Sequence, residues 1–143
     1  MSKVEGIPTW IAVVAAALHG RDGRWLMHRR PLGKHHGGLW EFPGGKVESE
    51  EIPQVALIRE IEEELGITLD PGALRPAAFA EGERDRQGRE IVILLYTCDR
   101  WTGEPAALEG GGIGWFSPGE AALLAKPPLD RMLADRLFAN RDR

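Results

Sequence analysis

The sequence has a single cysteine, Cys98, and no excess of basic residues. One cysteine excludes a disulfide within the chain and is typical of proteins from a reducing compartment. The 18 Lys and Arg residues against 22 Asp and Glu give a net charge of −4, which argues against a sequence-independent nucleic-acid binder. No apolar run is long enough to span a bilayer. These absences favour a cytoplasmic protein with neither a membrane nor a stable nucleic-acid partner.

With 143 residues, the chain is long enough for one domain with a hydrophobic core and too short for two. No internal repeat or low-complexity linker divides it, so we expect residues 1–143 to form a single domain. The apolar run from Ile11 to Leu18 is short and soon followed by charged residues, which favours a buried strand over a signal peptide. Both a monomer and a homodimer are compatible with the sequence.

Apolar runs separated by turn residues predict a series of short strands. The predicted extended segments are Trp10–Leu18, Arg24–His28, Leu39–Phe42, Ala77–Gly82, Ile91–Thr97 and Ile113–Phe116. The segment Ile91–Thr97 is apolar on both faces, so we expect it to be a central strand. A charged connector, Arg84–Arg89, precedes it.

Three helices are predicted between and after these strands. The first begins near Ile52 or Pro53 and ends at Gly66, because proline is tolerated in a first turn and glycine ends helices. The others cover Ala121–Leu124, after a cap at Ser117, and Leu129–Phe138, and residues 140–143 are expected to fray. Strands interspersed with helices predict an α/β sandwich.

The segment 45–67, GKVESEEIPQVALIREIEEELGI, contains an unusually acidic predicted helix. Glu60, Glu63 and Glu64 fall on one helical face, which we expect to be strongly negative, and the apolar residues fall on another. Like charges at this spacing destabilise a helix by roughly a few tenths of a kcal/mol each, so a compensating cation is expected. Carboxylates are the ligands that Mg²⁺ and Mn²⁺ prefer. A solvated acidic face without a metal is the alternative interpretation.

The same segment carries a recognisable family pattern. Gly45, Glu51 and the run 59–67, REIEEELGI, match the Nudix box at every specified position. The sequence therefore resembles the Nudix hydrolases, which cleave nucleoside diphosphates linked to another moiety. The stretch 39–46, LWEFPGGK, resembles the MutT branch of that family. The resemblance covers nearly the whole chain and implies an α/β/α sandwich with a mixed β-sheet between helices.

The resemblance also implies a metal site of Mg²⁺, with Mn²⁺ as an alternative. Glu60, Glu63 and Glu64 are the expected carboxylate ligands, and the backbone carbonyl of Gly44 is expected to join them. Glu109, in a loop between Trp101 and Trp115 that resembles the MutT branch, is expected to complete the site or to act as the base for the attacking water. A solvated loop carboxylate is the alternative for this residue.

Arg59 is expected to contribute to catalysis indirectly, by pairing with the carboxylates and neutralising the acidic face. We favour this role over direct contact with a substrate. Glu51 is expected to pair with Arg59 or to act as an acid at the helix N-terminus.

The resemblance implies a further set of substrate-binding residues: Arg30, Phe42, Lys46, Arg89 and Asp130. Asp130 departs from the best-known MutT enzymes, which carry an asparagine there. An ionised carboxylate only accepts hydrogen bonds, from guanine N1–H and the 2-amino group or from the cytosine amine, whereas a protonated one also donates. The alternative is that Asp130 caps the last helix.

Together these residues predict an Mg²⁺-dependent pyrophosphohydrolase that converts a nucleoside triphosphate into a monophosphate and pyrophosphate. The resemblance implies sanitisation of oxidised nucleotides such as 8-oxo-dGTP. A CTP, modified-pyrimidine or dinucleotide substrate is the alternative. A non-catalytic module that binds oxidised bases is a further alternative, against which every acid of the box is present.

Overall fold

The computed structural model describes residues 8–139, so the predicted tail at 140–143 lies outside the described residues. The strands are β1 (Trp10–Leu18), β2 (Trp25–Arg29), β3 (Trp40–Glu41), β4 (Gly44–Lys46), β5 (Thr68–Leu69), β6 (Arg75–Arg84), β7 (Glu90–Cys98), β8 (Trp101–Thr102) and β9 (Gly112–Phe116). The helices are α1 (Pro53–Leu65), α2 (Pro118–Leu123) and α3 (Pro128–Ala139). The predicted strand at 77–82 is longer than expected and takes in the start of the charged connector.

The main sheet has the strand order β4-β1-β7-β6, with β1 and β7 parallel and the other neighbours antiparallel. A three-stranded antiparallel sheet, β3-β2-β9, accompanies it. Because β7 lies between β1 and β6, the predicted central position of this strand is confirmed. No helix within residues 8–139 is long and apolar enough to cross a membrane.

The core has two parts because successive side chains of β1 point to opposite faces of the sheet. Val14, Ala16 and Leu18 pack with α1 on one side. Ala15 and Ala17 belong to the other part, together with α3. Helices therefore cover both faces of a mixed sheet, and the predicted α/β/α architecture is confirmed.

The bounds of α1 follow from the residues at its two ends. Pro53 occupies the first turn, where the missing N–H costs no intrahelical hydrogen bond. Gly66 adopts the left-handed conformation with φ of 75°, and its N–H donates to the Glu62 carbonyl. The helix therefore begins and ends where the sequence predicts.

Cys98 lies buried at the end of β7, as expected from its apolar surroundings. Its thiol donates to the Arg100 carbonyl at 3.2 Å, and burial raises the pKa of the thiol. A protonated buried thiol is a poor nucleophile, which agrees with a structural role.

Gly44 allows β4 to lie against β1, and we expect Gly44→Ala to be destabilising. A Cβ at this position would overlap the backbone of Val14 and Ala15, which moves only if β4 separates from β1. We expect the free energy of unfolding, measured by urea titration, to fall by about 1–3 kcal/mol. Gly119→Ala is the matched control, because a Cβ there meets no heavy atom within 4 Å. Equal stability of the two variants would contradict the close approach.

Candidate active site

A buried cluster of ionisable side chains joins β2, β3 and α1. The pairing of β2 with β3 places His28 opposite Glu41, and His28 Nδ1 lies 3.0 Å from Glu41 Oε2. The same nitrogen lies 3.3 Å from Oε1 of Glu64, near the end of α1. Ligand atoms of these three residues lie within 4.8 Å of one another. Of these three residues, only Glu64 is a site residue predicted from the sequence.

Glu64 is the buried member of the three glutamates that share the acidic face of α1. It is only 6% exposed and lies at the border of the face that α1 packs on the core. Burial raises the pKa of its carboxyl, whereas His28 and the N–H of Gly44, 3.1 Å from Oε2, favour the charged form. Burial outweighs these contacts and raises the pKa of Glu64 to about 7, and the buried carboxyl has the polar partners that such a group needs.

Arg59 holds the exposed side of the acidic region together. Its guanidinium lies 2.7 Å from Glu51, 2.8 Å from Glu60 and 3.3 Å from Glu63. The pairing with Arg59 lowers the pKa of Glu51 to about 2. Arg59 therefore pairs with the carboxylates as expected. Of the two roles expected for Glu51, the structure shows the ion pair with Arg59.

Gly45 lets the Glu60 carboxylate approach the backbone of β4. A Cβ on Gly45 would overlap this carboxylate, so only glycine leaves the space that Glu60 occupies. Among the described residues, the compact three-residue cluster is formed by His28, Glu41 and Glu64 rather than by the three glutamates of α1. Glu60 and Glu63 of the same helix pair with Arg59 instead.

The oxygen atoms around Glu64 fit a hard divalent cation. Strands β4 and β1 are antiparallel, so residue pairs along them alternate between hydrogen-bonded and non-hydrogen-bonded. Val14 and Gly45 form a hydrogen-bonded pair. The flanking hydrogen bonds, from Val47 to Ala12 and from Ala16 to Pro43, fix this pattern. The intervening Gly44 therefore directs both its N–H and its carbonyl away from β1, and the N–H reaches Glu64. A carbonyl and several carboxylates on one edge are the donor set that Mg²⁺ or Mn²⁺ prefers.

The loop that carries Glu109 is attached to the same region. The N–H of Leu108 donates to the main-chain carbonyl of Glu64 at 3.0 Å, and His28 Nε2 lies 3.1 Å from the Gly110 carbonyl. The Glu109 carboxylate is exposed, yet its charge contributes to raising the pKa of Glu64. The structure therefore brings the loop of Glu109 to the end of α1, and the part of Glu109 in a metal site stays a prediction.

Asp130 lies in the first turn of α3, and its carboxyl group reaches a backbone group outside that helix. It is 7% exposed, and its Oδ2 accepts the N–H of Phe42 at 3.0 Å. Burial raises the pKa of Asp130 to about 7, although the Phe42 N–H lowers it. A carboxyl that is protonated for part of the neutral range can donate as well as accept a hydrogen bond.

The other predicted substrate-binding residues differ in how closely they approach this region. Arg30 donates to Glu41 Oε1 at 2.9 Å and therefore adjoins the buried cluster. Lys46 is exposed on β4. Arg89 pairs with Asp85 at 2.7 Å in the turn between β6 and β7, rather than with the cluster.

Phe42 lies deeper than the other predicted substrate-binding residues. Its side chain is 3% exposed and packs in the core with α3, and its contact with a substrate stays a prediction. Its backbone N–H is the functional group that reaches Asp130.

His28 and Glu41 were missed because their proximity depends on long-range pairing. Thirteen positions and a loop at 31–38 separate them, and nothing in either local segment specifies the register of β2 with β3. The available signal was weak. His28 and Glu41 are polar residues inside predicted extended segments, and a buried pair of this kind points to a site.

A family model described as the NUDIX domain matches residues 8–137. The chain belongs to the Nudix family. This Nudix hydrolase is 38% identical over 128 residues to the CTP pyrophosphohydrolase of Escherichia coli K12, a match covering 90% of this chain and 92% of the relative. It is 33% identical over 98 residues to the 8-oxo-dGTP diphosphatase of Proteus vulgaris, covering 68% and 84%. The solution structure of the E. coli ORF135 protein matches with a TM-score of 0.81 and 36% identity, over 94% of this chain and 92% of that one.

The buried Asp130 makes the stability of this Nudix hydrolase depend on pH. Its pKa is about 7 in the folded protein and near 3.8 in an unfolded chain, so the unfolded chain loses the proton first as pH rises. Stability conferred by the protonated form therefore falls between about pH 4 and pH 7, by at most about 4 kcal/mol. Asp130→Asn keeps an acceptor for Phe42 and does not titrate.

We accordingly expect Asp130→Asn to gain stability relative to the natural protein as pH rises from 4.5 to 7.5. Urea unfolding of both proteins at the two pH values measures the difference. A difference in unfolding free energy that stays constant with pH would show that the carboxyl is not perturbed.

Proposed function

We propose that this protein hydrolyses a nucleoside triphosphate to the monophosphate and pyrophosphate with the help of Mg²⁺, for which Mn²⁺ can substitute. The observation that carries the proposal is the convergence of Glu64, the free backbone edge of Gly44 and the Glu109 loop at one end of α1. Glu60 and Glu63 lie beside it, held by Arg59. A site this rich in carboxylates requires a cation before it can accept a polyphosphate.

In this proposal Glu60, Glu63, Glu64, Glu109 and the Gly44 carbonyl hold the cation. The bound cation would neutralise phosphate oxygens and make a water molecule more acidic. Arg59 fixes the orientation of the glutamates and supplies the positive charge that keeps them close together. Glu109, which is exposed on its loop, is proposed to take a proton from the attacking water.

Arg30 and Lys46 are proposed to contact the phosphates. Arg30 is 29% exposed at its side chain, its Nη1 donates to Glu41 and its Nε to the His35 carbonyl, so Nη2 is the atom proposed to contact a phosphate oxygen. Lys46 follows Gly44 and Gly45 on an edge strand and is free to reach an oxyanion. For Arg89 the pairing with Asp85 must open before it can contact a base.

Asp130 is proposed to select the base, and the preferred substrate is a purine nucleotide of the 8-oxo-dGTP type. A buried carboxyl with a pKa near 7 can accept from N–H groups of guanine and, when protonated, donate to an oxygen. Several relatives are 8-oxo-dGTP diphosphatases, which supports this substrate. Removing such nucleotides from the cytoplasmic pool would protect DNA from mutation.

A cytosine nucleotide is the second candidate. An aspartate accepts directly from the exocyclic amine of cytosine, and the CTP pyrophosphohydrolase of E. coli shares 38% of aligned residues with this chain. In both cases the enzyme acts on a small nucleotide within a single domain, and neither a nucleic acid nor a membrane is required.

Glu63→Gln tests the metal-dependent hydrolysis, because an amide cannot replace the charge that holds a cation. We expect turnover of a triphosphate, followed by pyrophosphate release with and without Mg²⁺, to fall by at least about 100-fold. Glu62→Gln is the matched control on the same helix. Glu62 is exposed and lies 3.5 Å from the Thr68 hydroxyl, away from the Arg59 cluster.

The two variants separate the possible explanations. Near-normal turnover in Glu63→Gln would place the cation elsewhere. Absence of pyrophosphate release by the natural protein, with or without Mg²⁺, would favour a binding module over an enzyme.

Asp130→Asn tests base selection, with 8-oxo-dGTP, dGTP, CTP and dCTP as substrates. We expect the ratio of kcat/KM between guanine and cytosine nucleotides to change by about tenfold or more, because the amide donates at every pH. The rate on the best common triphosphate should change less. Equal losses on all four nucleotides would refute base reading by Asp130.

A further inference from the structure

We propose that His28 is a positioning residue that holds the loop carrying Glu109 against the buried end of α1. This inference rests on the proposed function, because it gives Glu109 a role in hydrolysis. His28 lies at the end of β2, its side chain is 5% exposed, and both ring nitrogens have partners. One nitrogen faces the carboxylates of Glu41 and Glu64, and the other faces the Gly110 carbonyl.

The contact with Gly110 requires a hydrogen on Nε2. A carbonyl oxygen only accepts hydrogen bonds, so at 3.1 Å the ring must donate through Nε2–H. Both the Nε2–H neutral tautomer and the doubly protonated ring meet this requirement. We call this hydrogen bond from His28 Nε2 to the Gly110 carbonyl the tether. The tether exists in either charge state of the ring, and a side chain at residue 28 that has no donor near Nε2 cannot form it.

Glu109 lies between two anchors of its loop. On the N-terminal side, Leu108 donates its N–H to the Glu64 carbonyl at 3.0 Å. On the C-terminal side, His28 binds the Gly110 carbonyl at 3.1 Å. The acceptor of the first bond is Glu64 and the donor of the second is His28, and both residues adjoin the proposed cation site. The two hydrogen bonds therefore hold Glu109 close to Glu64.

The backbone after Glu109 is adapted to this close approach. Gly110 and Gly111 have φ values of 95° and 74°, which favour glycine. A Cβ on Gly111 would overlap the carbonyl of Arg29, so the loop passes directly over the end of β2. His28 is thus the side chain through which β2 orients the loop.

Two amide substitutions separate the two hydrogen bonds of His28. In asparagine the amide nitrogen is three bonds from Cα, like Nδ1, whereas in glutamine it is four bonds away, like Nε2. His28→Gln therefore keeps a donor for the Gly110 carbonyl and loses the Nδ1 position. His28→Asn keeps a donor for Glu41 and Glu64 and loses the tether.

We expect His28→Asn to lower kcat by about 10- to 100-fold while KM for the triphosphate changes less than about threefold. His28→Gln should restore kcat to within about fivefold of the natural protein. His19→Asn is the matched control, because His19 stacks on Trp25 at the opposite end of β2 and should leave turnover unchanged. Equal loss of kcat in the Asn and Gln variants of His28 would overturn the proposal.

A double-mutant cycle with Glu109→Gln tests whether His28 acts through Glu109. We expect His28→Asn to add less than about threefold to the loss caused by Glu109→Gln alone, since the positioned carboxylate is already absent. Losses that multiply would show that His28 acts independently of Glu109 and would overturn the proposal.

Amide hydrogen exchange provides a measurement that does not depend on turnover. The amides of Leu108 and Gly110 should exchange at least about tenfold faster in His28→Asn and at nearly the natural rate in His28→Gln. If Glu109→Gln has natural turnover, the proposed role of Glu109 fails, and exchange alone decides whether His28 holds the loop. Unchanged exchange in His28→Asn would overturn the tether itself.

Discussion

The structure of the site depends on the burial of one carboxylate, that of Glu64. A carboxylate removed from water is costly unless donors replace the lost hydration. Here the backbone N–H of Gly44 donates to Glu64 at 3.1 Å, and the charge of His28, whose Nδ1 lies 3.3 Å from Glu64, favours the ionised form. Meeting this requirement brings α1, β4 and β2 together at one point. The Glu109 loop is bound at the same point. The contacts that allow Glu64 to be buried are therefore also the contacts that assemble the site.

Two cationic groups, Arg59 and His28, offset the remaining negative charge, one at the solvent-exposed part of the helix and the other in the interior. Arg59 pairs with Glu51, Glu60 and Glu63 where the helix meets solvent. His28 lies on the interior side. Burial lowers the pKa of His28, but Glu41 and Glu64 more than offset this effect and raise it overall. The acidic cluster is therefore stabilised locally, which allows a protein with an excess of acids to concentrate several in one place.

The parts of the fold that depend on local chemistry could be predicted from the sequence. Pro53 and Gly66 define α1 through properties of single residues, and the apolar run within β7 indicates the central position of this strand. The length of β6 could not be predicted, because exposed edge strands carry charged residues that resemble a loop. The sequence therefore predicts Arg84 in a connector, whereas the structure includes it in the strand.

The site was predictable only where family pattern and helical periodicity apply. Periodicity places Glu64 beside Glu60, but it does not show which residue at the border of a helical face is covered by the next layer. The meeting of His28 with Glu41 depends on strand register, and the burial of Phe42 depends on the position of α3. These are tertiary constraints, which lie outside any single segment.

Gly44 contributes to strand pairing and to the buried cluster through different atoms. Its Cα permits the contact between β4 and β1, while its N–H binds the Glu64 carboxylate. Thermal stability and the geometry around Glu64 are consequently not separable at this position. Directed evolution that seeks a more heat-resistant enzyme will have to leave this residue alone and look for gains on surfaces remote from the short edge strand.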